Sequence, residues 1–178
     1  MIALILRYGI VAGLIVATPM VWRMLAAHAG DTHEPVAGML VGYATMLVAL
    51  TAVFLGVKHY RDKVLGGVIR FLPALGIGLA ISALASLIYA IGWEISIANS
   101  SFDFIAFYKN LMIESARAKN PSPEVLAKAI ADANSFATMY ANPLYRFPLT
   151  FIEMFPVGLL VSLISAGILR NSRVLPAN

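Results

Sequence analysis

Residues 2–26, 36–57, 71–97 and 149–169 form four apolar stretches, and no other feature of the chain limits its fold so strongly. A helix rising about 1.5 Å per residue needs roughly 20 apolar residues to cross about 30 Å of hydrocarbon, and each stretch reaches that length. A backbone amide in lipid has no water to bond, so stretches of this kind must close their hydrogen bonds internally as helices. The composition agrees: 60% of the residues are hydrophobic and 12% charged, where a soluble domain carries roughly 25% charge. The expected fold class is all-α and integral to the membrane, a four-transmembrane-helix bundle formed as one domain over residues 1–178.

The charges between the stretches give an orientation. With four crossings, one side holds Arg7, Lys58, Arg61, Lys63, Arg70, Arg170 and Arg173 against Asp62 alone, a net charge of +6. The other holds Arg23, Lys109, Arg117, Lys119, Lys128 and Arg146 against Asp31, Glu34, Glu94, Asp103, Glu114, Glu124, Asp132 and Glu153, a net charge of −2. Cationic loops stay in the cytoplasm, which predicts cytoplasmic N- and C-termini. Ala27-His28-Ala29 imitates a signal-peptide cleavage site, but Met1 to Leu6 is apolar where a signal begins polar, and cleavage would leave an odd number of spans. The net charge of +4 forms no contiguous stripe, so a nucleic-acid partner is not expected. The chain has no cysteine, which removes disulfides and thiolate chemistry.

Lipid tails are as apolar as leucine, so spans associate through close packing, and small residues four apart let backbones approach. Gly9, Gly13 and Ala17 supply such a row in the first span, Gly38 and Gly42 in the second, Ala74, Gly78, Ser82, Ser86 and Ala90 in the third, and Gly158, Ser162 and Ala166 in the fourth. The third row is long enough to wind across more than one neighbour, which predicts a central helix. These faces also offer a route to a homodimer or larger homo-oligomer within the bilayer.

Residues 98–148 are too long for a passive connection. They read as a helical hairpin over about 102–141, broken at Asn120-Pro121-Ser122-Pro123. Its first helix sets Phe104, Tyr108 and Leu111 on one face and its second sets Leu126, Ile130, Ala133, Ala137 and Tyr140 on one face. Ser122 is a good N-cap with Pro123 at the first helical position. The expectation is an extracytoplasmic hairpin folded over the outer mouth of the bundle, either as a lid or as a docking surface.

Ionisable groups at membrane depth are costly and mark functional candidates. Glu94, Glu153, Arg23 and Arg146 should all reach the outer end of the bundle, where they form a candidate polar site for a cation or proton, or neutralise one another. Each also has a structural explanation. Thr150-x-x-Glu153 has the spacing of a capping box at the start of the fourth span. Glu94 beside Trp93 reads as an interfacial residue, and Arg23 beside Trp22 as a snorkelling anchor. Pro156 frees the carbonyl of Ile152 and, with Gly158, predicts a bend in the fourth span. Lys58, Arg61, Lys63 and Arg70 make a candidate lipid-headgroup loop. His28 and His33 near Asp31 and Glu34 have donor chemistry for a metal, but they match no known ligand spacing, and neither a metal nor a cofactor is expected.

Two stretches carry a resemblance: Gly56-Val57-Lys58-His59-Tyr60-Arg61-Asp62 with Gly66-Gly67, and the run from Thr150 through Glu153 and Pro156 to Ala166. With Ile91-Gly92-Trp93-Glu94 and Asn142-Pro143 in the same order, the chain resembles the bacterial domain-of-unknown-function family 4199, small four-span inner-membrane proteins. The resemblance implies topology and a bacterial inner membrane; it carries no activity. It also gives Glu153, Pro156 and the Lys58 to Asp62 loop weight as family features.

The chain carries no Walker loop, no G-x-S-x-G and no H-E-x-x-H, so an enzyme is not expected. The first expectation is a non-enzymatic accessory or assembly protein whose hairpin contacts a membrane-protein partner. The alternative is a small homo-oligomeric transporter or channel using the carboxylate and arginine cluster.

Overall fold

The structure is a computed structural model that describes residues 1–26 and 35–176, with side chains for all of these except 35–39. Among the described residues the chain is helical without strands: α1 (Ile2–Ala26), α2 (Pro35–Lys63), α3 (Phe71–Asn99), α4 (Phe104–Arg117), α5 (Pro123–Ala141) and α6 (Pro143–Leu169). Four segments, α1, Leu40–Lys63 of α2, α3 and α6, are long and apolar enough to cross a membrane. This is the pattern of a multi-pass membrane protein.

Two helices run further than their apolar stretches. α2 continues through Lys58-His59-Tyr60-Arg61-Asp62-Lys63, expected to be loop, and stops only at a turn whose Gly66 and Gly67 have φ of 67° and 96°. That left-handed backbone suits glycine and brings the Gly67 amide back to the Arg61 carbonyl at 2.8 Å. α6 begins at Pro143 instead of residue 149. The Asn142 side chain accepts from the Leu144 amide at 2.9 Å and Pro143 takes the first helical position, so the start is capped six residues early. The helix then runs unbroken through Pro148 and Pro156.

α3 lies between α1 and α6, with extensive interfaces to both, and α2 closes the other side by touching α1, α6 and, more lightly, α3. The α3–α6 seam is made by the expected small residues. A methyl group placed on Gly158 would lie 2.6 Å from the Ser82 Cβ, and one on Gly78 would lie 2.9 Å from the Ser162 Cβ. Ser82 and Ser162 stand 3.2 Å apart through their hydroxyls, and the Ser82 hydroxyl also donates to the Gly158 carbonyl at 3.2 Å. The α1–α3 seam uses Gly9 and Gly13 against Leu84 and Ile88. Leu50, Val53 and Val57 of α2, Ile81 of α3 and Met154 of α6 fill the centre, all fully buried.

The second span departs from expectation. Gly42 is exposed and has nothing within 4 Å of where a Cβ would stand, while the glycine of α2 that meets the bundle is Gly56, against Ile81 and Tyr8. Residues 40–44 are all exposed, more than a full helical turn, and the packing of α2 begins at Met46, Ala49 and Leu50. The proposed packing role of Gly42 therefore does not hold within one chain.

Candidate functional site at the hairpin end

α4 and α5 are amphipathic, and their apolar faces pack against each other. Both are capped: Asp103 Oδ1 accepts from the Ala106 amide at 2.9 Å, and the Ser122 hydroxyl accepts from the Val125 amide at 3.4 Å. The rings between them form a circuit. Phe104 and Tyr108 stack at 5.9 Å, Tyr108 meets Phe136 at 5.5 Å, and Phe136 stacks on Tyr140 at 5.1 Å.

This aromatic core is fixed to the spans at its base. Trp93 of α3 sets its ring edge-to-face on Phe104 at 4.8 Å, and its indole N–H donates to the Tyr140 hydroxyl at 2.9 Å. Arg146, in the second turn of α6 and almost fully buried, donates from Nε to Glu94 Oε1 at 2.9 Å and from Nη2 to Glu94 Oε2 at 2.5 Å. A planar guanidinium matching both oxygens of a carboxylate is the strongest geometry such a pair adopts. The remaining Nη1 donates to the Tyr140 carbonyl at 3.0 Å, and the guanidinium carbon lies 5.9 Å from the Tyr140 ring centre. Burial pushes the Tyr140 phenol above its usual range, so it stays protonated at neutral pH. The result is a clasp in which α3, α5 and α6 are joined by one ion pair and one tyrosine.

Of the four residues expected to share a polar site, the structure brings together Glu94 and Arg146. Glu153 is exposed and, among the described residues, accepts a long hydrogen bond from the Tyr89 hydroxyl at 3.4 Å. It lies well inside α6, which begins ten residues earlier, so the capping-box explanation fails. The Thr150 hydroxyl is turned back to the Arg146 carbonyl at 3.0 Å. Arg23 is exposed and in no ion pair among the described residues, consistent with a snorkelling anchor. His28, His33, Asp31 and Glu34 lie outside the described residues.

The candidate lipid-headgroup loop is also divided. Arg61 is fully buried and unavailable to a headgroup. Its Nη1 donates to the Val174 carbonyl at 3.0 Å and its Nη2 to that of Leu175, while Nε bonds Asp62 at 2.6 Å. Lys58 takes the other Asp62 oxygen at 2.5 Å. Only Lys63 and Arg70 remain exposed.

The hairpin does not fold over the mouth of the bundle as expected. Apart from the base just described, neither α4 nor α5 forms an extended interface with α1, α2 or α3 among the described residues. Tyr140 and Trp93, which set the angle of the arm, were legible as an apolar-face residue and a belt anchor; nothing in their spacing indicated the bond between them.

Fold and site together define a multi-pass helical membrane protein with a two-helix arm clamped to one end. The family described as "Protein of unknown function (DUF4199)" matches residues 7–171, and the chain belongs to that family. No curated protein and no solved structure matches it.

Proposed function

We propose that this protein is a non-enzymatic accessory or assembly protein of the bacterial inner membrane, which holds the α4–α5 hairpin outside the cytoplasm as a docking surface for another membrane protein. One observation carries the reading: among the described residues the hairpin packs on itself and is clamped at its base, which fixes its direction and leaves its outer faces exposed. A lid would spend its apolar surface on the spans, and a passive linker would not carry a buried, doubly bonded ion pair at its foot. The free faces mix the charges of Arg117, Lys119, Glu124, Lys128 and Asp132 with exposed Val125 and Met139. Such a polar surface with isolated apolar anchors suits a partner that associates and leaves. The charge asymmetry supports placing this end outside the cytoplasm.

The transporter alternative needs Glu94, Glu153, Arg146 and Arg23 around one pathway. Glu94 and Arg146 instead neutralise each other, and Arg23 joins neither, which favours the docking reading. The test is purification in native-lipid nanodiscs with quantitative mass spectrometry. A stoichiometric foreign membrane protein should accompany the wild type and be lost from Lys119→Glu/Lys128→Glu at unchanged thermal stability. A partner-free preparation, or a partner indifferent to these reversals, would sink the proposal.

A further inference from the structure

At the opposite end of the bundle, the turn before α3 and the end of α6 border an open, shallow groove of about 630 Å³ lined by Val68, Arg70, Phe71, Gly167, Arg170 and Asn171. Arg70 and Arg170 are a hundred residues apart in sequence, both exposed, and neither is in an ion pair among the described residues. Asp62 is the only acidic side chain in residues 1–26, 58–70 and 154–178, and Lys58 and Arg61 occupy both its oxygens. Two exposed cations on one groove favour an anion there. The rest of the lining suits the apolar part of an amphiphile: Val68 and neighbouring Leu72 are largely exposed, and no atom lies within 4 Å of where a Gly167 Cβ would stand.

We infer that this groove is a binding site for one anionic phospholipid, with Arg70 and Arg170 on its phosphate and its glycerol and upper acyl chains over Gly167. Arginine suits the role because its fork meets two phosphate oxygens at once. The apolar spans on either side make a lipid, already concentrated in the bilayer, the source of that phosphate. Asn171 adds a polar side chain at the rim. The site differs from a diffuse polybasic attraction because it names two cations and a shape, and leaves Lys63 and Arg173 outside it.

The test is native mass spectrometry of the full chain titrated with phosphatidylglycerol or with phosphatidylcholine of the same acyl chains. One phosphatidylglycerol per chain should be retained in preference to phosphatidylcholine. Each of Arg70→Gln and Arg170→Gln should weaken it about fivefold, the factor one near-surface cation contributes. Gly167→Leu should block it as well. Because that side chain would grow into open space on a helix, the variant should keep the wild-type melting temperature, separating occlusion from misfolding. Lys63→Gln should change little. Equal retention by the arginine variants would overturn the site. A loss at Lys63→Gln as large as at Arg170→Gln would reduce it to diffuse attraction, and full binding by Gly167→Leu would move it out of the groove. Displacement of the lipid by millimolar inorganic phosphate would make it a free-phosphate site.

Discussion

The two ends of the bundle use arginine in opposite ways. At the hairpin end, Arg146 is matched atom for atom by Glu94, and the pair holds an arm whose outer faces are free. At the end bearing the termini, Arg61 is buried on backbone carbonyls of the C-terminal tail, whereas Arg70 and Arg170 are in no ion pair among the described residues. α2 follows the same division: it is locked by Val53, Val57 and Arg61 at the termini end and exposed over residues 40–44 at the other. One end therefore holds α2 tightly and leaves two arginines exposed; the other pairs its arginine and leaves a turn of α2 exposed. Charge counting sees the same guanidinium each time, and only the partner decides whether it is a bolt, a cap or a site.

The largest effect should come from Arg146→Leu. It leaves the Glu94 carboxylate without its partner in a half-buried position and frees the Tyr140 carbonyl, a loss of about 3 kcal/mol. Thermal unfolding in detergent should show it as a clear drop in Tm. The double variant Glu94→Leu/Arg146→Leu should recover most of the loss, since an apolar pair of similar volume carries no desolvation penalty. If Arg146→Leu costs less than about 1 kcal/mol, the pair is solvated, and the fixed direction of the hairpin loses its basis.

Arg61→Met should come next, at about 2 kcal/mol, from the lost bonds to the tail and to Asp62. Its sharper readout is proteolysis. Arg170 and Arg173 are trypsin sites just after α6, and releasing the tail should speed cleavage there at least about tenfold, the factor that 1.4 kcal/mol of local opening represents. Unchanged cleavage would mean the tail is held by something other than Arg61. Trp93→Phe ranks third, at about 1 kcal/mol. It keeps a ring against Phe104 but removes the N–H that holds the Tyr140 hydroxyl, so a loss equal to that of Trp93→Ala would show that ring packing contributes nothing to the clasp.

Much of the architecture was legible because it follows from a few local rules. Apolar length gave the four spans, Ser122-Pro123 gave the start of α5, and the α3 and α6 rows of small residues gave the seam where Gly158 meets Ser82. What was not legible depends on partners distant in sequence. Thr150-x-x-Glu153 has capping-box spacing, yet Asn142 and Pro143 start the helix first, so the motif is overruled by a better cap upstream. Arg61 stood in a row of basic residues that read as one loop, but α2 continued through it and turned that side chain inward. The Glu94–Arg146 pair was half readable: both were placed at one end, but the Tyr140 carbonyl and ring that complete the guanidinium's surroundings are an outcome of packing.

The smallest effect is expected at Gly42, and it bears most directly on the contrast between the ends of α2. With no described residue within 4 Å of a Cβ there, Gly42→Leu extends from an exposed face and replaces a poor helix former with a good one. Stability should be unchanged or should rise by up to about 1 kcal/mol. Gly158→Leu, by contrast, would drive a side chain into Ser82 across a 2.6 Å gap. A large loss of stability at Gly42→Leu would contradict the single-chain packing and place a second helix on that face. A small-residue interface between two copies is what Gly38 and Gly42 promise by spacing, and the loss should then depend on protein concentration, because a leucine on a dimer seam weakens association before it weakens the fold.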